Sequence, residues 1–481
     1  MAVPKITVIR GVNIIDGLHD ELQREKAIIS KDGIITDIVN LNELSVPTDA
    51  QFLDFTGMTV IPGLIDSHAH LTQSGVDDYM RPFAERMFSK LKRNSYLTLK
   101  SGITTVRNMP GGSGNRVFKF RDKINQGKIT GPRVLVCGPA LSPPYGYFSL
   151  KMFIPLNKFM IFIISHIMGA HGLSIDVDNE QAARKAVQKL KRKGVDFIKT
   201  VSPGSAMPFV DRDNGHKEEL LKMGVRPDVI ESGMKQEVLQ VIVEEAHNAG
   251  LKVAVHNVCW PEGFKDTVMS GADSIEHTPL GLLDDDTLLT MKSNKTFWVP
   301  TAFTFYNWCD YIDHPEEYDK PEIRELVPEP FHTLGSKSLD KVREGIKQGT
   351  YPMWKKFYDE MDRYKSEYFP YNFRRAIDNK IKIVAGVDAG ASGSGFVPHG
   401  MLYKELELFV MHGMNEYEAI RTATMNAAEL IGMEGELGSI ELGKRCDLVV
   451  LADSPIGDIS NLKKVNYVIK DGAIVYKKTL K

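Results

Sequence analysis

Charge of one sign is what this chain has least of: 60 basic and 62 acidic side chains leave a formal net charge of −2 over 481 residues. Such a balance gives no electrostatic footing for nucleic acid or an anionic membrane and points to a small-molecule substrate. Cysteine is scarce too. Cys137, Cys259, Cys309 and Cys446 are scattered and form no CxxC pair, which argues against a disulfide framework or a thiolate zinc site and suits buried thiols in a reducing compartment. The first residues, Met1-Ala2-Val3-Pro4-Lys5, lack a basic segment followed by an apolar one, so no secretory signal is expected and the cytoplasm is the expected location. Long hydrophobic runs are also missing. The most apolar stretch, Phe159 to Met168, is about half the length a membrane span needs and contains His166. It reads as a buried helix or packed loop, with a dimer contact or a lid over an apolar pocket as alternatives. There is no internal repeat and no low-complexity tract.

What is present is a chain long enough for one large barrel and a smaller module. Both ends read as short strands separated by turn signals: Lys5 to Arg10, Lys26 to Ser30 and Gly33 to Val39 at one end, Asp447 to Ala452, Val465 to Ile469 and Ala473 to Tyr476 at the other. Neither end has enough apolar residues for a stable sheet, so residues 1–58 and 435–481 are expected to build one small β-sandwich together. From 59 to 434, strand-like runs alternate with helical ones, as in a parallel α/β fold. Eight candidate strands are Val60 to Asp66, Ile103 to Asn108, Arg133 to Gly138, Phe197 to Thr200, Lys252 to His256, Ser274 to His277, Phe297 to Thr301 and Lys382 to Asp388. Amphipathic helices are expected over Asn179 to Lys193, Lys235 to Ala249 and Met414 to Ile431. Eight such units fit a (β/α)8 TIM barrel, with a doubly wound open sheet as the other pattern-level possibility. Two long segments, about 140–178 and about 303–372, exceed ordinary barrel loops and are expected to act as lids.

The ends of the candidate strands carry the chemistry. His68 and His70 follow the first, Lys199 the fourth, His256 the fifth, His277 the sixth and Asp388 the eighth. In a barrel the C-terminal strand ends converge, so residues hundreds of positions apart meet in one site. Imidazoles and a carboxylate are ligands for divalent metal ions. Taken singly, each has a plainer reading: a packed histidine, a lysine reaching to solvent, an aspartate in a turn beside glycine. Their joint register favours a metal site.

The motifs Val60-Ile61-Pro62-Gly63-Leu64-Ile65-Asp66-Ser67-His68-Ala69-His70, Gly102-Ile103-Thr104-Thr105-Val106-Arg107, Asp196-Phe197-Ile198-Lys199, Val253-Ala254-Val255-His256, Asp273-Ser274-Ile275-Glu276-His277 and Ala385-Gly386-Val387-Asp388-Ala389-Gly390 run along nearly the whole chain. With them the sequence resembles the metal-dependent amidohydrolase superfamily, in the branch of Xaa-Pro dipeptidases and of amide, carbamate and urea hydrolases. The resemblance implies two divalent ions, usually zinc, with manganese or cobalt as alternatives. It implies that His68, His70 and Asp388 hold one ion, that His256 and His277 hold the other, and that carbamylated Lys199 bridges them. It implies attack by a metal-bridging hydroxide on an amide-type C–N bond, with Asp388 as general acid and base, and a homo-oligomeric assembly.

Two departures bear on substrate. His256 is followed by Asn257-Val258, where relatives often have a second histidine, and Asn108 stands where an aspartate is common after the strand-two arginine. Tyr145, Tyr306 and Arg107 are candidate substrate contacts, since a charged peptide-like substrate calls for an Arg or Tyr clamp. A mononuclear heterocycle deaminase is the alternative enzyme, although the position of its glutamate shuttle is held by Cys259. A scaffold that has lost catalysis is the non-enzymatic alternative, and retention of all the ligand positions speaks against it.

Overall fold

The computed structural model describes residues 6–45, 49–73, 87–111, 115–144, 146, 173–203, 233–257, 260–327, 329, 331–349, 352–390 and 397–479. The strand-like runs at the two ends share one sheet. From the N-terminal part come β1 (Ile6–Ile14), β2 (Gln23–Lys31), β3 (Ile34–Asn40), β4 (Gln51–Asp54) and β5 (Thr59–Pro62), and from the C-terminal part β15 (Leu448–Leu451), β16 (Val465–Lys470) and β17 (Ala473–Lys477). Their hydrogen-bonded order is β17-β16-β15-β5-β1-β2-β3, with β4 beside β1. Alternate residues of these strands, among them Ile9, Ile14, Ile28, Val60, Leu448, Val450 and Ile469, turn to one side and form a core of their own. The free edge at β3 is covered by the chain at 443–446, where Ile35 N–H meets Lys444 O at 2.8 Å and Cys446 N–H meets Gly33 O at 2.7 Å. The sheet thereby curls over its core without leaving β3 as an open edge.

The expected first barrel strand is two strands. β5 stays in this sheet, paired with β1 and β15, and only after Gly63 does β6 (Leu64–Ala69) enter the barrel, so the boundary expected at 58/59 falls one strand too early. Gly63 is where the chain changes sheet. A Cβ there would lie 2.2 Å from Thr104 Oγ1, so only glycine lets the turn pass β7 (Ile103–Asn108).

The barrel strands are all parallel. β6, β7 and β8 (Arg133–Val136) form one sheet; β9 (Ala140–Ser142), β10 (Ser174–Asp176), β11 (Phe197–Val201), β12 (Lys252–His256), β13 (Ser274–Glu276) and β14 (Phe297–Val299) form another, in the order β10-β9-β11-β12-β13-β14. The expected third strand therefore stops at Val136, and the chain pairs again as β9. Where β8 meets the second sheet, the Asp196 carboxylate stands in for a strand carbonyl, accepting Val136 N–H at 2.7 Å, while Asp196 N–H donates to Val136 O at 2.8 Å. On the other flank lies the expected eighth strand, 382–389. It is not a regular strand but a chain of single bridges: Val384 N–H to Trp298 O, Ser67 N–H to Ala385 O, Asp388 N–H to His68 O and His70 N–H to Ala389 O.

Local chemistry explains the helix boundaries. Glu180–Lys193 begins at Asn179, whose side chain accepts Ala182 N–H, and ends at Gly194 with φ 77. The helix expected over Met414 to Ile431 is broken into Glu416–Thr422 and Met425–Ile431. The carbonyls of Thr422 and Ala423 are taken by Ala385 N–H and Ile65 N–H of the barrel strands, which withdraws them from any helical ladder. The segment 303–372, expected to be a loop, is mostly helical: Ala302–Asp313, Pro321–Leu326, Phe331–Gln348 and Pro352–Arg363, the last continuing through a π-turn at Tyr364–Tyr368 into Phe369–Asp378. Phe369 and Phe373 are buried beside Trp298, and Tyr364, also buried, stacks on Phe369. Phe159 to Met168 lies outside the described residues. Among the described residues no helix is long and apolar enough to cross a membrane.

Gly63→Ala should lower stability by about 1–3 kcal/mol in urea unfolding, because the methyl group has nowhere to go. Gly435→Ala, where an added Cβ meets nothing within 4 Å, should stay within about 0.5 kcal/mol of the parent.

Candidate metal centre

The strand ends converge as their register requires. Among the described residues, His68, His70 and Asp388 place ligating atoms within 4.8 Å of one another, all three buried. The strand-eight segment reaches β6 this closely because of Gly386, where a Cβ would lie 2.8 Å from the His68 backbone nitrogen. Asp388 then takes a left-handed backbone (φ 55) that ends the pairing and turns its carboxylate onto the two imidazoles. Its Oδ1 lies 3.1 Å from His70 Nε2 and 3.4 Å from His68 Nε2.

Hydrogen bonds on the far side of each ring fix what those nitrogens are. His68 Nδ1 is 2.7 Å from Glu276 Oε2, and His70 Nδ1 is 2.7 Å from the Pro110 carbonyl. Both partners only accept, so each ring donates its Nδ1–H and presents a lone pair at Nε2. Three possible ligand atoms thus face one another, an arrangement that a divalent cation among them would satisfy.

His277 and His256 continue the row. The His277 ring centroid is 4.8 Å from that of His68 and 4.4 Å from that of His256. Strand alternation would send His277 to the side opposite Glu276, but a φ of 73 ends β13 there and redirects the ring. Thr301 Oγ1 donates to Pro300 O and accepts from His277 Nδ1 at 2.7 Å. The His277 Nε2 atom is left buried without a hydrogen-bond partner. Lys199, on β11, is fully buried and its Nζ also has no partner. Burial, in first place, pushes the Lys199 ammonium down to about 8. Burial likewise holds His68, His256 and His277 well below the ordinary histidine range, helped by the positive charge of Lys199, so all three are neutral near pH 7. Neutral imidazoles and a carboxylate suit a divalent ion.

The expected substrate contacts are occupied otherwise. Arg107 is 3 % exposed; its Nε donates to Ser67 O at 2.7 Å, Nη1 to Ser274 Oγ at 3.0 Å and Nη2 to Glu276 Oε1 at 2.6 Å. Tyr306 bonds the Lys365 carbonyl and His412 Nε2 through its hydroxyl and packs against Phe369. Tyr145 and Cys259 lie outside the described residues. What the sequence reading missed is the layer behind the candidate ligands: Glu276, Thr301 and Asp66. Glu276 carried a signal, since Ser274 two residues earlier shares its strand face. Asp66 accepts His68 N–H at 3.1 Å and Val387 N–H at 3.3 Å, linking the first and eighth strands, and burial pushes its carboxyl up to about 7.

Histidines, an aspartate and a buried lysine gathered at the ends of parallel strands define a candidate metal site of a hydrolase-like α/β fold. The chain belongs to the Amidohydrolase family, whose profile matches residues 59–475. It is 26% identical to an ochratoxinase of Aspergillus niger, over 98% of this chain and 86% of the relative. It is 25% identical to an imidazolonepropionase of Clostridium tetani, over 94% and 91% of the two chains. Among solved structures it is similar to a Xaa-Pro dipeptidase with methionine bound in the active site, at 27% identity and a TM-score of 0.72, covering 98% of this chain and 100% of the other.

Metal removal should be visible without any substrate. Dialysis against a chelator should lower the thermal midpoint, and a divalent ion at about 100 times its dissociation constant should restore about 2.7 kcal/mol of stability. His70→Ala should remove most of that response in a thermal-shift titration.

Proposed function

We propose that this protein hydrolyses an amide-type C–N bond in a small, largely apolar substrate, using a binuclear centre. His68, His70 and Asp388 would hold one ion and His256 and His277 the other, zinc first and manganese or cobalt as alternatives. Lys199 would join them once its amine has added carbon dioxide to become a carbamate. The observation that carries this reading is the set of converging lone pairs at His68 Nε2, His70 Nε2 and Asp388 Oδ1, with the orphaned Lys199 Nζ in the same buried space. Ions bound there would polarise the substrate carbonyl and bring the pKa of a bound water from 15.7 toward about 7.

The protein's own groups do the rest. A carbamate forms only on a neutral amine, and burial prepares Lys199 for this by bringing it down to about 8. The Asp388 carboxylate takes a proton from the attacking water and returns it to the departing nitrogen, which must leave as an amine. Its left-handed backbone and the bond from its N–H to His68 O hold it in place for both transfers.

Aromatic side chains are packed beside His277, which favours an apolar substrate. Phe305 meets the His277 ring edge to face, with centroids 6.4 Å apart, and Tyr364 packs on Phe305 at 4.9 Å. Arg107 and Tyr306, the candidate clamps for a charged substrate, are engaged inside the protein. Amides, ureas and carbamates with apolar arms therefore rank ahead of Xaa-Pro dipeptides, the substrates that the name of the similar dipeptidase denotes.

A panel of aryl amides, ureas, carbamates, N-acyl amino acids and Xaa-Pro dipeptides, run with metal content measured on the same sample, tests this. Turnover should appear in the first three classes and depend on metal, while activity confined to ammonia release from cytosine, adenine or guanine analogues run alongside would refute it. Asp388→Asn should lower kcat by at least 10²-fold, and full activity in Lys199→Ala would sink the binuclear reading. Reactivation of metal-free protein by zinc at fixed dissolved carbon dioxide should speed up about tenfold per pH unit below pH 8 and level off above it. The sign follows from Lys199: its reactive form is the deprotonated one, which is depleted below about 8.

A further inference from the structure

His68, His70 and His277 each have a different partner behind the ring, and the differences are chemical. His70 donates to a backbone carbonyl and His277 to a threonine hydroxyl, both neutral. His68 alone of these three donates to a carboxylate, that of Glu276, at 2.7 Å. That carboxylate is fully buried and divided between two tasks. Oε2 faces His68, while Oε1 accepts from Arg107 Nη2 at 2.6 Å and from Ser274 Oγ at 2.6 Å. Arg107 is fixed in turn by Ser67 O and Ser274 Oγ, and its guanidinium lies 5.3 Å from the centre of the Phe197 ring. The relay Arg107–Glu276–His68 thus spans β7, β13 and β6.

We propose that Glu276 is a positioning residue for the metal centre. Held by Arg107 and Ser274, it locks the His68 ring with Nε2 toward His70 and Asp388 and raises the basicity of that nitrogen. In this way it sets the affinity of the ion these three would hold. The proposal rests on the reading that His68, His70 and Asp388 bind a divalent ion. Two effects combine. A carboxylate accepting an imidazole N–H fixes the tautomer and strengthens the opposite nitrogen as a ligand, and loss of such a partner typically costs 10–100-fold in metal affinity. The Arg107 charge balances the carboxylate, so the pair can stay in a dry interior without drawing the proton off His68. Arg107 then serves the ion and not the substrate.

The test is metal affinity of the folded protein, with activity set aside. Wild type, Glu276→Gln and Ser274→Ala would be stripped and titrated with zinc against a chromogenic chelator, and the cobalt-loaded forms compared by visible absorption. Glu276→Gln should bind the ion 10–100-fold more weakly and shift the cobalt bands. Ser274→Ala, which removes one donor and no charge, should move both in the same direction by less, and it keeps the test available if Glu276→Gln does not fold. A folded Glu276→Gln, or a pair of folded variants, with wild-type zinc affinity and an unchanged cobalt spectrum would overturn the proposal. Failure of the underlying reading looks different: wild type itself, or wild type and His70→Ala alike, would then take up no zinc.

Discussion

A carboxylate with no access to water lies between the strands of this barrel, and the site is arranged around satisfying it. Glu276 receives a guanidinium from β7, a hydroxyl from its own strand and an imidazole from β6. Removing one member of such a buried pair costs about 3–5 kcal/mol, because the other is stranded in a medium that cannot solvate it. The constraint runs outward from there. With its Nδ1 committed to Glu276, His68 must face Asp388 with Nε2, and Asp388 must come to it on a segment that approaches β6 through Gly386.

The same constraint explains where the backbone is strained. His277, Thr301 and Asp388 follow successive barrel strands and all have positive φ, at 73, 49 and 55. Each such residue costs of order 1–3 kcal/mol and persists only where its surroundings fix it. Here the fixing groups are identifiable: the Thr301 hydroxyl on His277, the Glu405 carboxylate on the Ala302 and Phe303 N–H groups just beyond Thr301, and the His68 carbonyl on Asp388 N–H. Burial pushes the Glu405 carboxyl up to about 8, so it too is part of the polar layer that barrel packing encloses. At these three positions strain and burial coincide, where side chains leave the strand alternation to meet one another.

The small sheet serves the barrel mechanically. Arg133, at the start of β8, reaches Asp447 at 2.9 Å and Asp471 at 3.3 Å on the C-terminal strands. Gly63 N–H bonds to Asp447 O at the point where the chain leaves that sheet for β6. The strand that carries His68 is therefore tethered at its base by residues from the far end of the chain.

The alternation of parallel strands with helices, the shared sheet of the two ends and the meeting of His68, His70 and Asp388 were legible in the sequence. Strand period, turn residues and the rule that barrel strands end at the site are local and additive. What local pattern does not carry is which polar group meets which. Arg107 reads as a substrate clamp because a guanidinium in a strand suggests a bound anion, and only the folded chain reveals that the anion is Glu276, 169 residues away. The aromatic segment after β14 reads as a loop because its apolar residues have no visible partner until Trp298 and the helices around it come together. The break at Ala423 is likewise invisible in a continuous helical pattern, since the strand amides that take its carbonyls lie far along the chain. Sequence by itself determined that His68, His70 and Asp388 would meet at the strand ends, because spacing and strand direction are written residue by residue. Tertiary structure alone decided which lone pairs face inward, because a buried histidine takes its tautomer from the partner that packing places behind it.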